Sequence, residues 1–279
     1  MTDSLLTRLA SETLTAEATR REALLTTGKL GLGAALAALP FFTAKPAAAQ
    51  STAGDAGILN YALTLEYLER AFYRRGVANG VAPPANAALF NQIRNDEEAH
   101  VALLSGAITQ AGGTPVVYED ADFTFNVGGT DATTNQALFL TLAQGLEDTG
   151  VRAYKGRAAE IVNKAFLTVA LQIHSVEARH AAALRVINGM PGWVSGDEAT
   201  AAGPIRPVYG AGAPVGTFPA EGNTSQGGVA LTASALGLSA GVSGQTISQT
   251  DIAEAFDEGL DANTVLSIAT QFITGMEGN

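Results

Sequence analysis

The sequence contains no cysteine. That absence excludes disulfides, zinc-thiolate sites and iron–sulfur clusters, because each of them needs thiol groups. Any metal must therefore be held by carboxylate oxygen and imidazole nitrogen. Aromatic residues are also scarce, at 6%, whereas hydrophobic residues make up 47% of the 279 positions. This balance is carried by Ala, Leu, Val and Ile and favours helix packing over sheet packing, so it predicts an all-α protein.

Positively charged residues are also scarce. The sequence has 16 Lys and Arg but 27 Asp and Glu, which gives a formal net charge of -11. Nucleic acids and anionic membrane surfaces are bound by clustered basic residues, so the composition predicts neither as a partner. Long hydrophobic runs are missing as well. The longest candidate, residues 30–42, is too short to span a bilayer and is interrupted by Pro40, so we expect no stable membrane insertion.

Residues 1–49 resemble a twin-arginine export signal. Arg20 and Arg21 precede the apolar run of residues 30–42, and small residues at 47–49 follow it. The resemblance predicts export, to the periplasm or the extracellular space, of a chain that has already folded. The alternative is an N-terminal amphipathic helix, and removal of the segment stays open.

Four segments between residues 50 and 190 have the periodicity of amphipathic helices. We predict helices over residues 57–76, 84–111, 134–163 and 164–188. The connection at 112–133 is rich in Gly, Thr, Asp and Pro, and a crossover of that length is what a bundle needs when consecutive helices are parallel. Residues 191–279 form a Gly- and Pro-rich extension, in which short helices are predicted at 251–258 and 261–274.

Two of the predicted helices carry a Glu and a His, three residues apart, within an otherwise apolar stripe. The stripe of the second helix contains Phe90, Ile93, Glu97, His100, Leu104, Ala107 and Ala111, and that of the fourth contains Phe166, Ala170, Ile173, Glu177, His180, Leu184 and Ile187. Charged groups on a buried face are costly to desolvate unless a partner neutralises them. The pattern therefore indicates a buried ligand set.

The other two helices place acids on their inward faces in the same way. Glu66 precedes Tyr73 by seven residues, and Glu147 precedes Tyr154 by the same interval. The chain is thus a weak internal repeat of two helical hairpins, each offering one Glu and then a Glu-x-x-His pair. Four carboxylates carry four negative charges, which two divalent cations would neutralise. Mixed carboxylate and imidazole ligation suits iron or manganese better than zinc, so the cofactor is predicted to be two iron or two manganese ions.

Four short segments carry a family resemblance: Leu65-Glu66-Tyr67-Leu68-Glu69, Asp96-Glu97-Glu98-Ala99-His100, Leu146-Glu147-Asp148 and Val176-Glu177-Ala178-Arg179-His180. With them, residues 57–188 resemble a ferritin-like domain, of the group that includes bacterial exported proteins and plant desiccation-related proteins. The resemblance implies a four-helix bundle in which Glu66 and Glu147 are single-carboxylate ligands. Each Glu-x-x-His pair would bind one metal and bridge to the other.

Several residues near the stripes allow more than one interpretation. Glu69 faces inward, but the repeat puts Gly150 opposite it, so it is either a neighbour of the ligands or solvated. Tyr73 and Tyr154 are expected to pack with satisfied hydroxyl groups rather than to react. We interpret His174, one position off its stripe, as a peripheral histidine. The residues predicted to face solvent are Asp96, Glu98 and Asp148.

The resemblance and the charge pattern leave three functions open. The first is a redox protein that oxidises ferrous iron or consumes peroxide, with oxygen or peroxide as its small-molecule substrate. The second is a stress- or desiccation-associated binding protein whose metal is mainly structural. The third, mineral storage in a cage, ranks last because a tail of nearly ninety residues would crowd the helix ends. A homo-oligomer is compatible with each of them.

Overall fold

The computed structural model describes residues 52–195, 198, 206–209, 219–226, 228–231 and 248–274. The predicted export signal lies outside these residues. Within them, four long helices form a bundle: α1 (Thr52–Ala78), α2 (Ala87–Gln110), α3 (Gln136–Ala158) and α4 (Lys164–Ile187). The prediction of an all-α bundle is therefore confirmed. No helix in this part of the chain is both long enough and apolar enough to cross a membrane.

The helix ends differ from the predicted ones by a few residues, for local reasons. A 3-10 turn, Pro84–Asn86, precedes α2. Pro84 stands at its first position, where the amide hydrogen that proline lacks would have no partner in a helix. The side chain of Asn135 accepts a hydrogen bond from the amide of Leu138 and caps α3. Asn163 caps α4 through the amide of Ala165, which separates α3 from α4 at the predicted turn.

The aromatic side chains at one end of the bundle reveal the directions of the helices. Phe139, near the start of α3, stacks on Phe72 of α1 with 4.8 Å between ring centroids and lies 5.3 Å from Phe90 of α2. Phe72 is near the end of α1, whereas Phe90 is near the start of α2. It follows that α3 runs parallel to α2 and antiparallel to α1, so the connection between α2 and α3 crosses the length of the bundle, as predicted.

The crossover contains short regular elements rather than an unstructured loop. These are two 3-10 turns, Asp120–Asp122 and Ala132–Thr134, and a hairpin of β1 (Asn126–Val127) and β2 (Thr130–Asp131). Arginines of α1 hold it against the bundle. The guanidinium of Arg74 lies 3.1 Å from the carboxylate of Asp120, and that of Arg75 donates to the carbonyl oxygen of Phe123 at 3.0 Å.

The described parts of the C-terminal extension pack against the bundle. They contain α5 (Arg206–Tyr209), a hairpin of β3 (Ser225–Gln226) and β4 (Val229–Ala230), α6 (Gln249–Ala253), α7 (Ala262–Ala269) and a 3-10 turn, Thr270–Phe272. Both predicted tail helices exist but are shorter than predicted. Tail residues such as Val208, Val265 and Phe272 are buried in the same hydrophobic core as the bundle.

A buried arginine ties the tail to α3. Arg152 is 2% exposed, and its guanidinium donates to the carbonyl oxygens of Glu258 and Gly259 at 2.9 and 3.1 Å. It also lies 2.8 Å from the carboxylate of Glu221. Gly156 permits the close approach, because a Cβ atom there would lie 1.9 Å from the carbonyl oxygen of Leu260. As a result α3 is buried on nearly all sides, with the bundle on one and the tail on the other.

Candidate metal centre

The six predicted ligands converge in one cavity at the middle of the bundle. Glu66, Glu97, Glu147 and Glu177 are each 0% exposed, and His100 and His180 are 7% and 6% exposed. Each of the four long helices contributes, because the stripes identified in the sequence are the faces that the helices turn toward each other. Their role as metal ligands stays a prediction, but their convergence is a feature of the structure.

The six side chains form two overlapping groups of four. One consists of Glu66, Glu97, His100 and Glu177, and the other of Glu97, Glu147, Glu177 and His180. In each group one potential ligand atom per residue lies within 4.8 Å of every other one. Glu97 and Glu177 belong to both groups. Each group is therefore able to hold one cation, with two carboxylates placed between the two positions.

The distances around His100 show how tightly the first group is packed. Its Nδ1 atom lies 3.0 Å from Oε2 of Glu66, 3.1 Å from Oε2 of Glu97 and 3.1 Å from Oε1 of Glu177. One ring nitrogen thus faces carboxylates from three helices. Burial opposes protonation of the ring, but these carboxylates outweigh it and raise the pKa of His100.

His180 occupies the equivalent place in the second group. Its Nδ1 atom lies 3.1 Å from Oε2 of Glu147 and 3.4 Å from Oε1 of Glu97. On the other edge of the ring, Nε2 lies 3.1 Å from Oδ2 of Asp96. Burial again opposes protonation, and Glu147 and Asp96 raise the pKa of His180 in spite of it. One ring nitrogen therefore faces the cavity while a carboxylate outside the cavity orients the other.

The carboxyl groups of the cavity cannot all be ionised in the absence of a cation. Burial raises the pKa of Glu97 to about 7, although His100 and His180 partly offset it. Burial and the charges of Glu97 and Glu147 raise the pKa of Glu177 well above its ordinary value. Burial acts on Glu66 too, but the charge of His100 and the hydrogen bonds it receives hold its pKa below the usual range. Desolvation is thus the main cause of the raised pKa values of Glu97 and Glu177, and repulsion between the buried carboxylates adds to it.

The cavity fits a pair of cations. Four buried carboxylate oxygens, Oε1 of Glu97, Oε1 of Glu147 and both oxygens of Glu177, accept no hydrogen bond of good geometry within the described residues. Buried oxygens without a partner are rare in folded proteins, because leaving one unpaired costs about 1–3 kcal/mol. Cations between these oxygens would satisfy them. The donor set of carboxylates and imidazoles is one that iron and manganese accept.

A family model described as a ferritin-like domain matches residues 54–190. The chain contains a ferritin-like domain. The match covers α1 to α4 and all six predicted ligands, and it confirms the resemblance seen in the sequence. No curated protein matches the chain. The fold and the buried groups able to hold a metal ion together fit a metal-binding ferritin-like protein.

Glu69 is the fifth buried glutamate of the ferritin-like domain. It is 2% exposed and belongs to neither group of four, so of its two interpretations the structure supports a neighbour of the predicted ligands rather than a solvated acid. Burial and the charge of Glu177 raise the pKa of Glu69 well above its ordinary value. Gly150 makes room for both acids, because a Cβ atom on it would lie 3.0 Å from Oε2 of Glu177 and 3.5 Å from Oε1 of Glu69.

The two tyrosines and the third histidine lie around the cavity rather than in it. The hydroxyl of Tyr154 donates a hydrogen bond to Oε1 of Glu66. Tyr73 packs among Phe72, Phe90 and Phe139 at the aromatic end of the bundle. His174 is half-buried and belongs to neither group of four, as its position off the stripe predicts.

The prediction that Asp148 faces solvent is wrong. It is 5% exposed, because the tail covers the outer side of α3, and its Oδ2 accepts hydrogen bonds from Arg185 and from Tyr209 of α5. Burial raises the pKa of Asp148 to about 6, although these two partners counteract it. No signal in α3 itself reveals this, since the partners come from distant parts of the chain.

Asp96 and Glu98 are only partly solvated. The side chain of Asp96 is 29% exposed, and it is the group that orients His180. That of Glu98 is 35% exposed and binds the guanidinium of Arg74, with 2.7 Å between Oε2 and the nearer terminal nitrogen. Asp96 directly precedes Glu97 in the sequence and lies at the edge of the inward stripe, and its contact with His180 was not predicted.

Proposed function

We propose that the ferritin-like domain holds two iron or two manganese ions and uses them to oxidise ferrous iron or to consume peroxide. The observation that carries this proposal is the pair of buried four-residue groups that share Glu97 and Glu177. A site for a single structural ion would not need two histidines on opposite sides of shared carboxylates. Dioxygen or peroxide is the proposed small-molecule substrate.

In this proposal each residue has a separate role. Glu66 and His100 would hold one ion and Glu147 and His180 the other, while Glu97 and Glu177 would bind both. Bound there, two redox-active ions would supply the chemistry by which ferrous iron passes its electrons to dioxygen or peroxide, or one peroxide molecule passes them to another. The protein keeps the ligands in place and the cavity dry.

Two neighbours would position the ligands. Tyr154 donates to Glu66, which limits how that carboxylate can turn, and Asp96 fixes the ring orientation of His180 from outside the cavity. Such outer partners commonly change metal affinity about 10–100-fold when they are removed. Apolar side chains above and below the cavity, including Ile93, Leu104 and Ile173, exclude bulk water.

The test is to strip the protein of metal, reload it with Fe²⁺ or Mn²⁺, and measure ferrous oxidation and peroxide consumption. Glu97→Gln replaces the carboxylate of a proposed shared ligand by an uncharged amide of the same shape, so we expect the rate to fall about 100-fold or more. Glu98→Gln is the matched control, because it changes the adjacent acid, which pairs with Arg74 on the outside. If the wild-type protein carries out neither reaction with either metal, the redox proposal is wrong.

A second candidate function is favoured by how closed the cavity is. All six predicted ligands are at most 7% exposed, which also suits a metal that mainly stabilises the fold of a stress- or desiccation-associated binding protein. In that case the double variant Glu97→Gln, His100→Asn would lower the melting temperature of the metal-loaded protein but leave stress survival of the cells unchanged. Loss of survival with an unchanged melting temperature would reject this alternative.

We also propose that the protein is exported by a twin-arginine route, on the strength of Arg20, Arg21 and the apolar run that follows them. Export of a folded chain would allow the metal to be loaded beforehand. Replacing both arginines by lysine should leave the protein in the cytoplasm, as measured by cell fractionation. An unchanged distribution would show that the segment is no such signal.

A further inference from the structure

A small void lies next to the candidate metal centre, between α1, α3 and the tail helix α7. It has a volume of about 10 Å³, which is close to the room that one water-sized molecule needs. Eight residues line it: Leu65, Leu68 and Glu69 from α1, Leu146, Thr149 and Gly150 from α3, and Ile268 and Ala269 from α7. The bundle thus forms its inner walls and the tail forms its outer wall.

The void lies next to the predicted ligands without being lined by them. Gly150 forms part of its wall, and a Cβ atom on this glycine would lie 3.0 Å from Oε2 of Glu177. That oxygen is buried and accepts no hydrogen bond of good geometry within the described residues. Gly150 therefore borders both the void and one of the two shared carboxylates, with no side chain between them.

The chemistry of the walls selects the kind of molecule that fits. The lining is mostly apolar. Its polar members are Thr149, whose hydroxyl donates to the carbonyl oxygen of Gly145 within the same helix, and Glu69, whose Oε1 would lie 3.5 Å from a Cβ atom on Gly150. An apolar wall gives no compensation for the desolvation of an ion, so ions are disfavoured there. Dioxygen loses little hydration on entering, whereas the more strongly hydrated hydrogen peroxide needs the polar contact that Glu69 offers at the inner end.

The outer wall belongs to the tail. Ile268 and Ala269 are 2% and 1% exposed, so α7 closes the void on the side that faces away from the metal centre. The cap of α7, in which Asp261 accepts hydrogen bonds from the amides of Asn263 and Thr264, fixes the helix in this position. The tail therefore determines how wide the void is.

We propose that a small neutral oxidant, dioxygen or hydrogen peroxide, reaches the metal centre through this void, and that α7 sets the width of the passage. This inference rests on the proposed redox function, because a purely structural metal would need no passage. It gives the tail a specific role: its residues at positions 268 and 269 control access to the side of the centre formed by Glu69 and Glu177.

The experiment changes the outer wall and leaves the proposed ligands untouched. Ala269→Leu fills the void, Ala269→Val fills it less and is the milder variant should the first fail to fold, and Ile268→Ala enlarges it. The matched control is Leu266→Ala, because Leu266 lies on the same helix but is 38% exposed and does not line the void. Metal content and melting temperature are measured for every variant.

Two readouts test the passage. In crystals of the metal-free protein under xenon pressure, we expect xenon in the void of Ile268→Ala and none there in Ala269→Leu. In the metal-loaded protein, we expect kcat/KM for the oxidant to fall about tenfold or more in Ala269→Leu, and by less in Ala269→Val, with the wild-type metal content retained. Leu266→Ala should behave as the wild type in both.

The outcomes separate this inference from the function on which it rests. A wild-type protein that binds metal but consumes no oxidant overturns the redox function, and with it the need for a passage. An active wild type whose kcat/KM is unchanged in a fully loaded, folded Ala269→Leu or Ala269→Val variant overturns the passage alone. So does the absence of xenon from the void of Ile268→Ala.

Discussion

The two helical hairpins of the bundle carry the same ligand pattern in different surroundings. The first, α1 with α2, offers Glu66, Glu97 and His100, and the second, α3 with α4, offers Glu147, Glu177 and His180 at matching positions. Arginines of α1 bind the exposed crossover, whereas α3 lies beneath the tail. A near-symmetric set of predicted ligands is thus compatible with very different packing on the outer sides of the two hairpins.

The symmetry is broken inside the cavity at one pair of positions. Glu69 follows Glu66 by one helical turn, and Gly150 follows Glu147 by the same interval. The carboxylate of Glu69 occupies space next to Gly150, which has no side chain. The void under α7 lies at this pair, so the two halves of the site differ in access even though their predicted ligands match.

The largest effect is expected from the carboxylates that the two hairpins share. Glu97→Gln or Glu177→Gln removes a member of both groups of four, so both metal ions should be lost. Glu66→Gln or Glu147→Gln changes one group only, and about one ion per chain should remain. Elemental analysis of reloaded protein measures the difference. Equal metal content in all four variants would contradict the assignment of shared and unshared ligands.

The next largest effect is expected from the ion pairs on the outer sides of the two hairpins, which should contribute differently to the free energy of unfolding. Arg152→Ala leaves Glu221 buried without its partner, so the free energy of unfolding of the metal-free protein should fall by about 3–5 kcal/mol. On the first hairpin, Arg74→Ala breaks a pair in which the arginine side chain is 38% exposed, and it should cost about 1 kcal/mol or less. Urea unfolding measures both. A smaller effect for Arg152 than for Arg74 would mean that the tail adds little stability.

Proton release should be shared between the hairpins. The pKa values of His100 and His180 are raised by the carboxylates around them, so both rings are protonated at pH 7 in the metal-free protein, and each must lose its proton to bind a metal. Loading two ions should release at least two protons. Because protons compete with metal, affinity should rise with pH near neutrality, by about 2.7 kcal/mol per pH unit for two protons.

A dye-based proton count during Mn²⁺ titration at several pH values checks this expectation. His174→Gln is a suitable control, because His174 belongs to neither group of four and should not contribute. Release of less than one proton at pH 7 would show that the imidazoles are already neutral in the metal-free protein.

The smallest effect concerns the residue that precedes each Glu-x-x-His pair. Asp96 stands before the pair of the first hairpin and orients His180, whereas the second hairpin has Val176 at that position. Asp96→Asn should weaken metal binding about 10–100-fold, through loss of the charge that holds the ring. Metal titration of Asp96→Asn, with Glu98→Gln as the control variant, measures this effect. Unchanged affinity in Asp96→Asn would mean that packing alone orients His180.

Much of the bundle was predictable from the sequence because its signals are local. The apolar stripes of α2 and α4 follow the helical repeat, and the residues on them are buried with the exception of Ile187, which is partly buried at the end of α4. Charged residues within such a stripe are unusual enough to reveal a site. The ends of α3 and the extent of the tail helices were less predictable, because capping and tertiary packing decide where a helix stops.

The contacts on the outer sides of the helices were not predictable, because they join residues that are far apart in the sequence. Asp148 and Arg152 sit on α3 at positions that a bare bundle would expose, and both are buried because residues from 56 to 107 positions further along the chain cover them. Their partners are mostly backbone carbonyls and single side chains, which leave no periodic pattern in the sequence. Asp96 was missed because its partner, His180, is 84 residues away.

The sequence by itself determined the helical bundle, its crossover and the six residues that meet in the middle, since helical periodicity and the cost of burying charge act within each helix. Only the tertiary structure decided that Glu97 and Glu177 are shared between two groups, that Glu69 joins the cavity opposite Gly150, and that the tail closes one side of it. Those features depend on distances between helices, which a linear pattern does not contain.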